Sequence, residues 1–306
     1  MKHSRISVSL VAVLSVFVAS ACDSPGAPNQ TAPMYDLLYS TVASATLLIQ
    51  PFEGGPPVPL GFGIGMGLDP VATADGRYVA YAKIADNGGT SISLVDRVTG
   101  TKTDLTNGVD IDQQPAISPD GSRIVFVSSR DVGENIYIMN RDGSNQMALT
   151  IEPLPLVIVD RSPSWSPDGR QISWSSSTGG FLTIWIMNAD GSNKHRLTNS
   201  TTAFEDDAAW SPDGTRIAYF EVMDVTPRLV VVNVDGTNRR VLPTPPNGHS
   251  QDPAWSPDGK LLAFTFNPDD HSRPSLYTMK PDGSELQQRL HDDQNRGVRR
   301  ASFIRR

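Results

Sequence analysis

Cysteine is almost missing from this 306-residue chain, which carries only Cys22. A lone cysteine excludes an intramolecular disulfide and any cysteine-based zinc cluster. Positive charge is also short, with 26 basic against 33 acidic residues and a formal charge of -7. That balance argues against a broad nucleic-acid-binding surface. Long apolar runs are absent as well. The stretch at positions 6–21, ISVSLVAVLSVFVASA, is interrupted by serines and falls short of the ~20 residues that span a bilayer comfortably. No G-x-S-x-G elbow, H-E-x-x-H pair, phosphate loop or dinucleotide glycine pattern occurs, so catalysis finds little support. What is abundant is turn chemistry. The 25 glycines and 24 prolines are too many for a helical bundle and too few for low-complexity disorder. With 38% hydrophobic residues there is material for a core, and the expectation is an all-β protein.

The single cysteine is explained by what precedes it. Lys2, His3 and Arg5 form a basic start, the apolar stretch follows, and Ala19-Ser20-Ala21-Cys22 closes it. This segment resembles a bacterial lipoprotein signal, in which small residues precede a cysteine whose thiol then carries diacylglycerol. The resemblance implies an exported chain anchored through acylated (palmitate-type) Cys22 on the periplasmic or cell-surface side of the envelope. Read without it, Ala19 and Ala21 make an ordinary secretory cleavage site. Residues 22–34, with three prolines and no apolar periodicity, read as a flexible linker. Loss of residues 1–21 removes Lys2 and Arg5 and takes the formal charge from -7 to -9.

An internal repeat decides the fold. SPDG occurs at 118–121, 166–169, 211–214 and 256–259, with TADG at 73–76, so the glycines recur at intervals of 45, 48, 45 and 45 residues. A second turn follows each: VTGT (98–101), RDGSN (141–145), ADGSN (189–193), VDGTN (234–238) and PDGSE (281–285). Each is followed by a leucine, Leu105, Leu149, Leu197, Leu242 or Leu290. Pro, Asp and Gly in that order suit a type I turn closed by a left-handed glycine. A short strand ending at Trp165, Trp210, Trp255 or Ile117 precedes the turn, and alternating segments such as RIVFVSS (123–129) follow it. Four short antiparallel strands every ~45 residues make a β-propeller blade. A solenoid of the same unit would leave open sheet edges and need capping repeats.

The termini choose the ring. Tyr35–Leu60 overlays Ile172–Leu197 without gaps and lacks a first strand, while Phe303 lies 48 residues after Trp255, where that strand belongs. The expectation is therefore six four-stranded antiparallel blades over 35–306, with the closing blade split between 35–60 and 299–306. The N-terminal strands would pair with the C-terminal one. The repeat W-S-P-D-G…I-Y-x-M-N-x-D-G-S-N, carried here by WSPDG at 165, 210 and 255 and by IYIMNRDGSN at 136–145, resembles the TolB-type (WD-like) propeller repeat. Where TolB has an α/β domain before its propeller, this sequence has the short linker, so a partner-binding role of that segment is not carried over.

In such a blade both motif turns emerge on one face, and the irregular second-to-third-strand and blade-to-blade connections emerge on the other. Binding usually resides in loops on a rigid scaffold. Asp69, Asp112, Asp160, Asp206, Asp207 and Asp252 read as preceding a first strand by one to three residues, on the irregular face. The equivalent stretch of the closing blade holds Arg296, Arg299 and Arg300. One reading is a carboxylate-lined channel mouth that attracts a cation or a basic partner segment. The other is a repeated turn or backbone-capping residue. Trp165, Trp210 and Trp255 read as interblade core. His249 and His271, with Asp269 and Asp270 nearby, give a weak two-histidine metal alternative. The functional expectation is a non-catalytic, exported, lipid-anchored scaffold that needs no cofactor. It would bind an envelope protein, such as a peptidoglycan-associated one, and no nucleic acid. The alternative is a carbohydrate-active or metal-dependent propeller enzyme using loop His and Asp residues.

Overall fold

Each SPDG turn closes on itself. In the computed structural model, Gly121 N donates to Ser118 O at 2.8 Å, and the Ser118 hydroxyl donates to Asp120 Oδ1 at 2.6 Å. Ser122 N donates to the same carboxylate, and Gly121 sits at φ 68°, where glycine avoids the Cβ penalty. These bonds hold the Asp120 carboxyl down at about 2. The same geometry recurs around Asp168, Asp213 and Asp258, and around Asp75 in the TADG unit.

The structure describes residues 35–41, 44–61, 66–151, 157–223, 226–269, 274–290 and 298–305. Among them, 24 strands form six four-stranded antiparallel sheets. The first strands of five blades are Gly67–Ala72, Asp112–Ile117, Asp160–Trp165, Phe204–Trp210 and Gly248–Trp255. The sixth is Val298–Arg305, which pairs with Tyr35–Thr41 and closes the ring. The seam sets Tyr35 opposite Arg305 and Leu37 opposite Phe303. Phe303 takes the tryptophan place of the other blades and meets the Tyr35 ring edge-on at 5.0 Å. The split blade expected from the termini is the one observed. Arg216–Met223 and Thr226–Asn233 form the longest hairpin of the ring.

Alternation along the strands puts apolar side chains on both faces of every sheet, and six buried clusters form between successive blades. One of them joins Val125, Val127 and Ile136 of the 112–148 blade, and Leu149 just after it, to Trp165, Ile172, Trp174 and Met187 of the next. Truncating such a leucine or isoleucine to alanine typically costs about 2–5 kcal/mol. Two tryptophans add a bond to the preceding blade: Trp165 Nε1 donates to Ala116 O at 3.1 Å, and Trp255 Nε1 donates to Ala209 O at 3.0 Å. Trp210 is as buried, yet its Nε1 has no partner.

The carboxylates expected ahead of the first strands lie within them. Pro70, Pro115, Pro163 and Pro253 each follow the residue at which the strand bulges. A proline suggests a strand beginning, because it cannot donate to a ladder. Here the first strand is the inner edge of its blade, so the proline sits in a bulge without losing a bond.

Candidate functional site

The bulges build the site. Asp69, Gln114, Ser162, Asp207, Asp252 and Arg300 occupy one equivalent position in the six first strands, and all have positive φ, from 42° to 55°. Each such non-glycine conformation costs of order 1–3 kcal/mol unless the surroundings impose it. Asp69, Ser162, Asp207, Asp252 and Arg300 line an axial cavity of about 230 Å³, whose walls continue into prolines and alanines such as Pro115, Pro163 and Ala208. First strands run from the blade-to-blade loops toward the SPDG turns, so this polar ring lies nearer the irregular face.

Arg300 ties the ring together. Its Nη2 donates to Asp207 Oδ1 at 2.6 Å and to Ser162 Oγ at 3.1 Å. Its Nε lies 3.4 Å from Asp252 Oδ1, and its backbone N donates to Asp252 Oδ2 at 3.2 Å. Ser162 Oγ donates to Asp207 Oδ1 at 2.8 Å, and Ser162 N donates to Gln114 Oε1 at 2.7 Å. Burial, followed by repulsion from Asp207, pushes the Asp252 carboxyl up to about 7, against the pull of Arg300. Burial opposes the charge on Arg300, but Asp207, Asp69 and Asp252 outweigh it and hold the guanidinium above its ordinary range.

The other expected acids do not converge here. Asp112 and Asp160 stand two residues earlier in their strands and are buried within their own blades. Arg130 pairs with Asp112 at 3.1 Å, and Trp174 Nε1 donates to Asp160 Oδ1 at 3.2 Å. Asp206, one residue before the ring, pairs with Arg161 of the neighbouring blade at 2.8 Å. Its carboxyl is raised by burial first and by Asp207 second. The six acids thus occupy three strand positions with three sets of surroundings. The arginine run also separates: Arg300 is on the axis, Arg299 pairs backbone to backbone with Ser40, and Arg296 lies outside the described residues. Cys22 and His271 lie outside them too. His249 Nδ1 is 3.4 Å from Asp269 Oδ1 in an exposed pair. Among the described residues no group of three His, Cys, Asp or Glu side chains is placed to hold a metal ion.

Sequence reasoning passed over Gln114 and Ser162 because they are uncharged. Counting back seven residues from each turn glycine (76, 121, 169, 214 and 259) finds five of the six ring positions. It also passed over Glu205, which stands where Asp112 and Asp160 stand in their strands. Burial pushes Glu205 up to about 7, against a hydrogen bond from the Thr198 hydroxyl. Glu221 lies beside it and is paired with Arg239 and Arg228.

At three successive blade junctions the irregular face is bonded across. Thr90 N donates to Asp110 O at 3.1 Å, Glu134 N to Ile158 O at 3.3 Å, and Glu205 N to Leu182 O at 2.9 Å. Each bond joins the second hairpin of one blade to the connection or first strand that follows it. Gly133 is required by this contact, since a Cβ there would lie 2.3 Å from Ile158 O at φ +86°.

Fold and site define a closed six-bladed propeller whose chain ends share one blade and whose axis carries a charged ring near the loop face. The chain belongs to the TolB beta propeller domain family, whose profile matches residues 43–209. It is 34% identical over 89 residues to the Tol-Pal system protein TolB of Francisella tularensis subsp. tularensis (strain WY96-3418). That match spans 27% of this chain and 20% of the relative, so the chain matches about a fifth of that protein's length. Among solved structures it is similar to TolB from Acinetobacter baumannii, with TM-score 0.71 and 21% identity over 88% of this chain and 66% of that one. It is also similar to an oligogalacturonate lyase from Vibrio parahaemolyticus, with TM-score 0.56 and 14% identity over 83% and 78% of the two chains. At these identities the structural likenesses concern the fold.

Proposed function

We propose that this chain is a non-catalytic propeller scaffold, exported and anchored through acylated Cys22, that binds a partner protein of the bacterial cell envelope at its irregular face. Residues 1–21 are then the signal peptide, 22–34 the tether and 35–306 the binding domain. The observation that carries the reading is the loop rim between residues 90 and 205, whose segments are hydrogen-bonded from blade to blade. A surface already ordered loses little entropy on binding. Family membership and the Tol-Pal name of the Francisella relative support an envelope setting. On the axis, Arg300 supplies counter-charge to the acids, which fits a structural and electrostatic part better than a reacting one.

Two measurements test the reading. Metabolic labelling with a palmitate analogue is expected to mark the wild type and to lose its signal in C22A. Photo-crosslinking residues are then placed at rim positions, with Val98 in a turn of the opposite face as control. They are expected to yield a protein adduct from the rim only. Adducts from Val98 alone, or none from any rim position, would sink the idea. Charge reversal at Asp112, Asp160 or Asp206 is a poor probe, because those buried pairs hold the blades.

A further inference from the structure

The rim presents large apolar side chains to solvent along consecutive loops. Val109, Val132, Val157, Phe181 and Phe204 are all exposed, Val157 to 64%, Phe204 to 52% and Phe181 to 39%. Their backbones form one connected run. Ile111 and Ser129 exchange bonds, the 134 and 159 positions pair in parallel, Ser177 N donates to Val159 O, and Glu205 N donates to Leu182 O. The side chains therefore follow one another across three successive blades, on loops held in place by hydrogen bonds. Phe181 and Phe204 come from different blades and meet edge-on, ring centroids 5.4 Å apart. Exposed aromatic pairs on ordered backbone have the character of interface anchors rather than of scattered surface residues.

We propose that this arc is a docking surface for an extended segment of a partner protein that carries apolar anchors flanked by lysine or arginine. The inference rests on the protein-binding reading above and adds the place and the chemistry of the partner. Charge selects the occupant. Asp110, Asp131 and Glu134 border the arc, whereas the nearby cations Arg130 and Arg161 are held by Asp112 and Asp206. The acids gather at the 109–134 end, whereas at the 181–204 end Arg196 donates to Thr178 O, so a basic flank is drawn to the first end. A second copy would set the same acids against each other, in a chain whose formal charge is already -7. An anionic lipid surface would be repelled for the same reason. None of the five side chains of the arc lines the axial cavity.

The test uses the full chain in detergent micelles, panned against phage-displayed random peptides. The strongest binder is then synthesised and titrated. Enriched sequences are expected to combine aromatic or aliphatic residues with lysine or arginine. F181S/F204S should weaken binding about tenfold or more, as loss of two central anchors does. D131N should weaken it a few-fold and flatten the salt dependence, and V98S should leave it unchanged. All the substituted side chains are exposed and D131N keeps an acceptor for the Tyr137 hydroxyl that Asp131 holds, so unaltered thermal unfolding is expected and separates loss of binding from loss of fold. No enrichment, enrichment of acidic peptides, or equal affinity for F181S/F204S would overturn the arc. Self-association of the full chain that F181S/F204S abolishes would assign it to a second copy. Binding to phosphatidylglycerol vesicles abolished in the same variant would assign it to a membrane. The photo-crosslinking experiment keeps the two levels apart. Protein adducts from other rim positions, with none from 181 or 204, would remove the arc and leave the scaffold standing, whereas none from any rim position would remove both.

Discussion

Aspartate behaves oppositely at the two ends of the first strands. At the turn end, Asp120 and Asp213 accept bonds from the serine hydroxyl of their own tetrapeptide and from the backbone N–H of the residue just after it, and both carboxyls are held at about 2. At the loop end, burial first and then Asp207 of the preceding blade raise the Asp252 carboxyl to about 7, against the pull of Arg300. The residue type is the same, but the source of the partners differs. A carboxylate satisfied by its neighbours in sequence is a folding device that the chain repeats. One that is buried by ring closure depends on whatever the other blades bring, and a single arginine on the closing strand supplies the compensation. The charge of the axis is therefore a property of the assembled ring.

The largest effect expected from breaking this contrast is at Arg300. R300A leaves Asp207 and Asp252 buried without their guanidinium, a change that costs about 3–5 kcal/mol for a buried ion pair. Denaturant unfolding of the full chain at pH 8 should show that loss, and a smaller one at pH 5, where Asp252 is protonated. Loss of the same size at both pH values would mean that packing, and not charge, is what Arg300 supplies.

Next in size is the pH dependence. Asp252 and Glu205 have folded-state values near 7, above the usual carboxylate range, so the folded chain holds protons that the unfolded chain has released. Their contribution is fully present below about pH 4 and is lost as pH rises through about 7, with a slope set by the proton difference. Asp120 and Asp213, held at about 2, act in the opposite sense and withdraw stability as pH falls through about 2. Stability is accordingly expected to decline from pH 5 to pH 8, and D252N should flatten much of that decline while leaving the part due to Glu205. A profile rising over the same window would contradict the assignment.

The smallest effect sharpens the comparison within one repeat. Trp255 donates to the preceding blade and Trp210 has no partner. The worth of one such bond is about 1 kcal/mol, so W255F should lower stability by that much more than W210F does. Equal losses would show that the indole bond adds nothing to the packing.

Much of the fold was legible because its signals are local. The SPDG and DGSN turns, the tryptophan before the first and the leucine after the second lie within one repeat, and the overlay of Tyr35–Leu60 on an internal blade located the seam. The axial ring was legible only in part. Asp69, Asp207 and Asp252 stood out by charge, but so did Asp112, Asp160 and Asp206, which one or two residues of register send elsewhere. The prolines obscured that register by suggesting a strand start where there is a bulge. Gln114 and Ser162 gave no signal beyond their offset from the turn glycine, and Phe181 and Phe204 gave none, because exposure is settled by what the neighbouring blade covers.

The sequence by itself determined the repeat, the blade count and the closure at the termini, since each depends on turn geometry and alternation over a few residues. The tertiary structure alone decided which acids share the axis, that Arg300 neutralises them, and which loop side chains stay exposed. Those outcomes join residues from 23 to more than 200 positions apart, and the axial ones depend on the bulge at the inner edge of each blade, which a period-two pattern does not reveal.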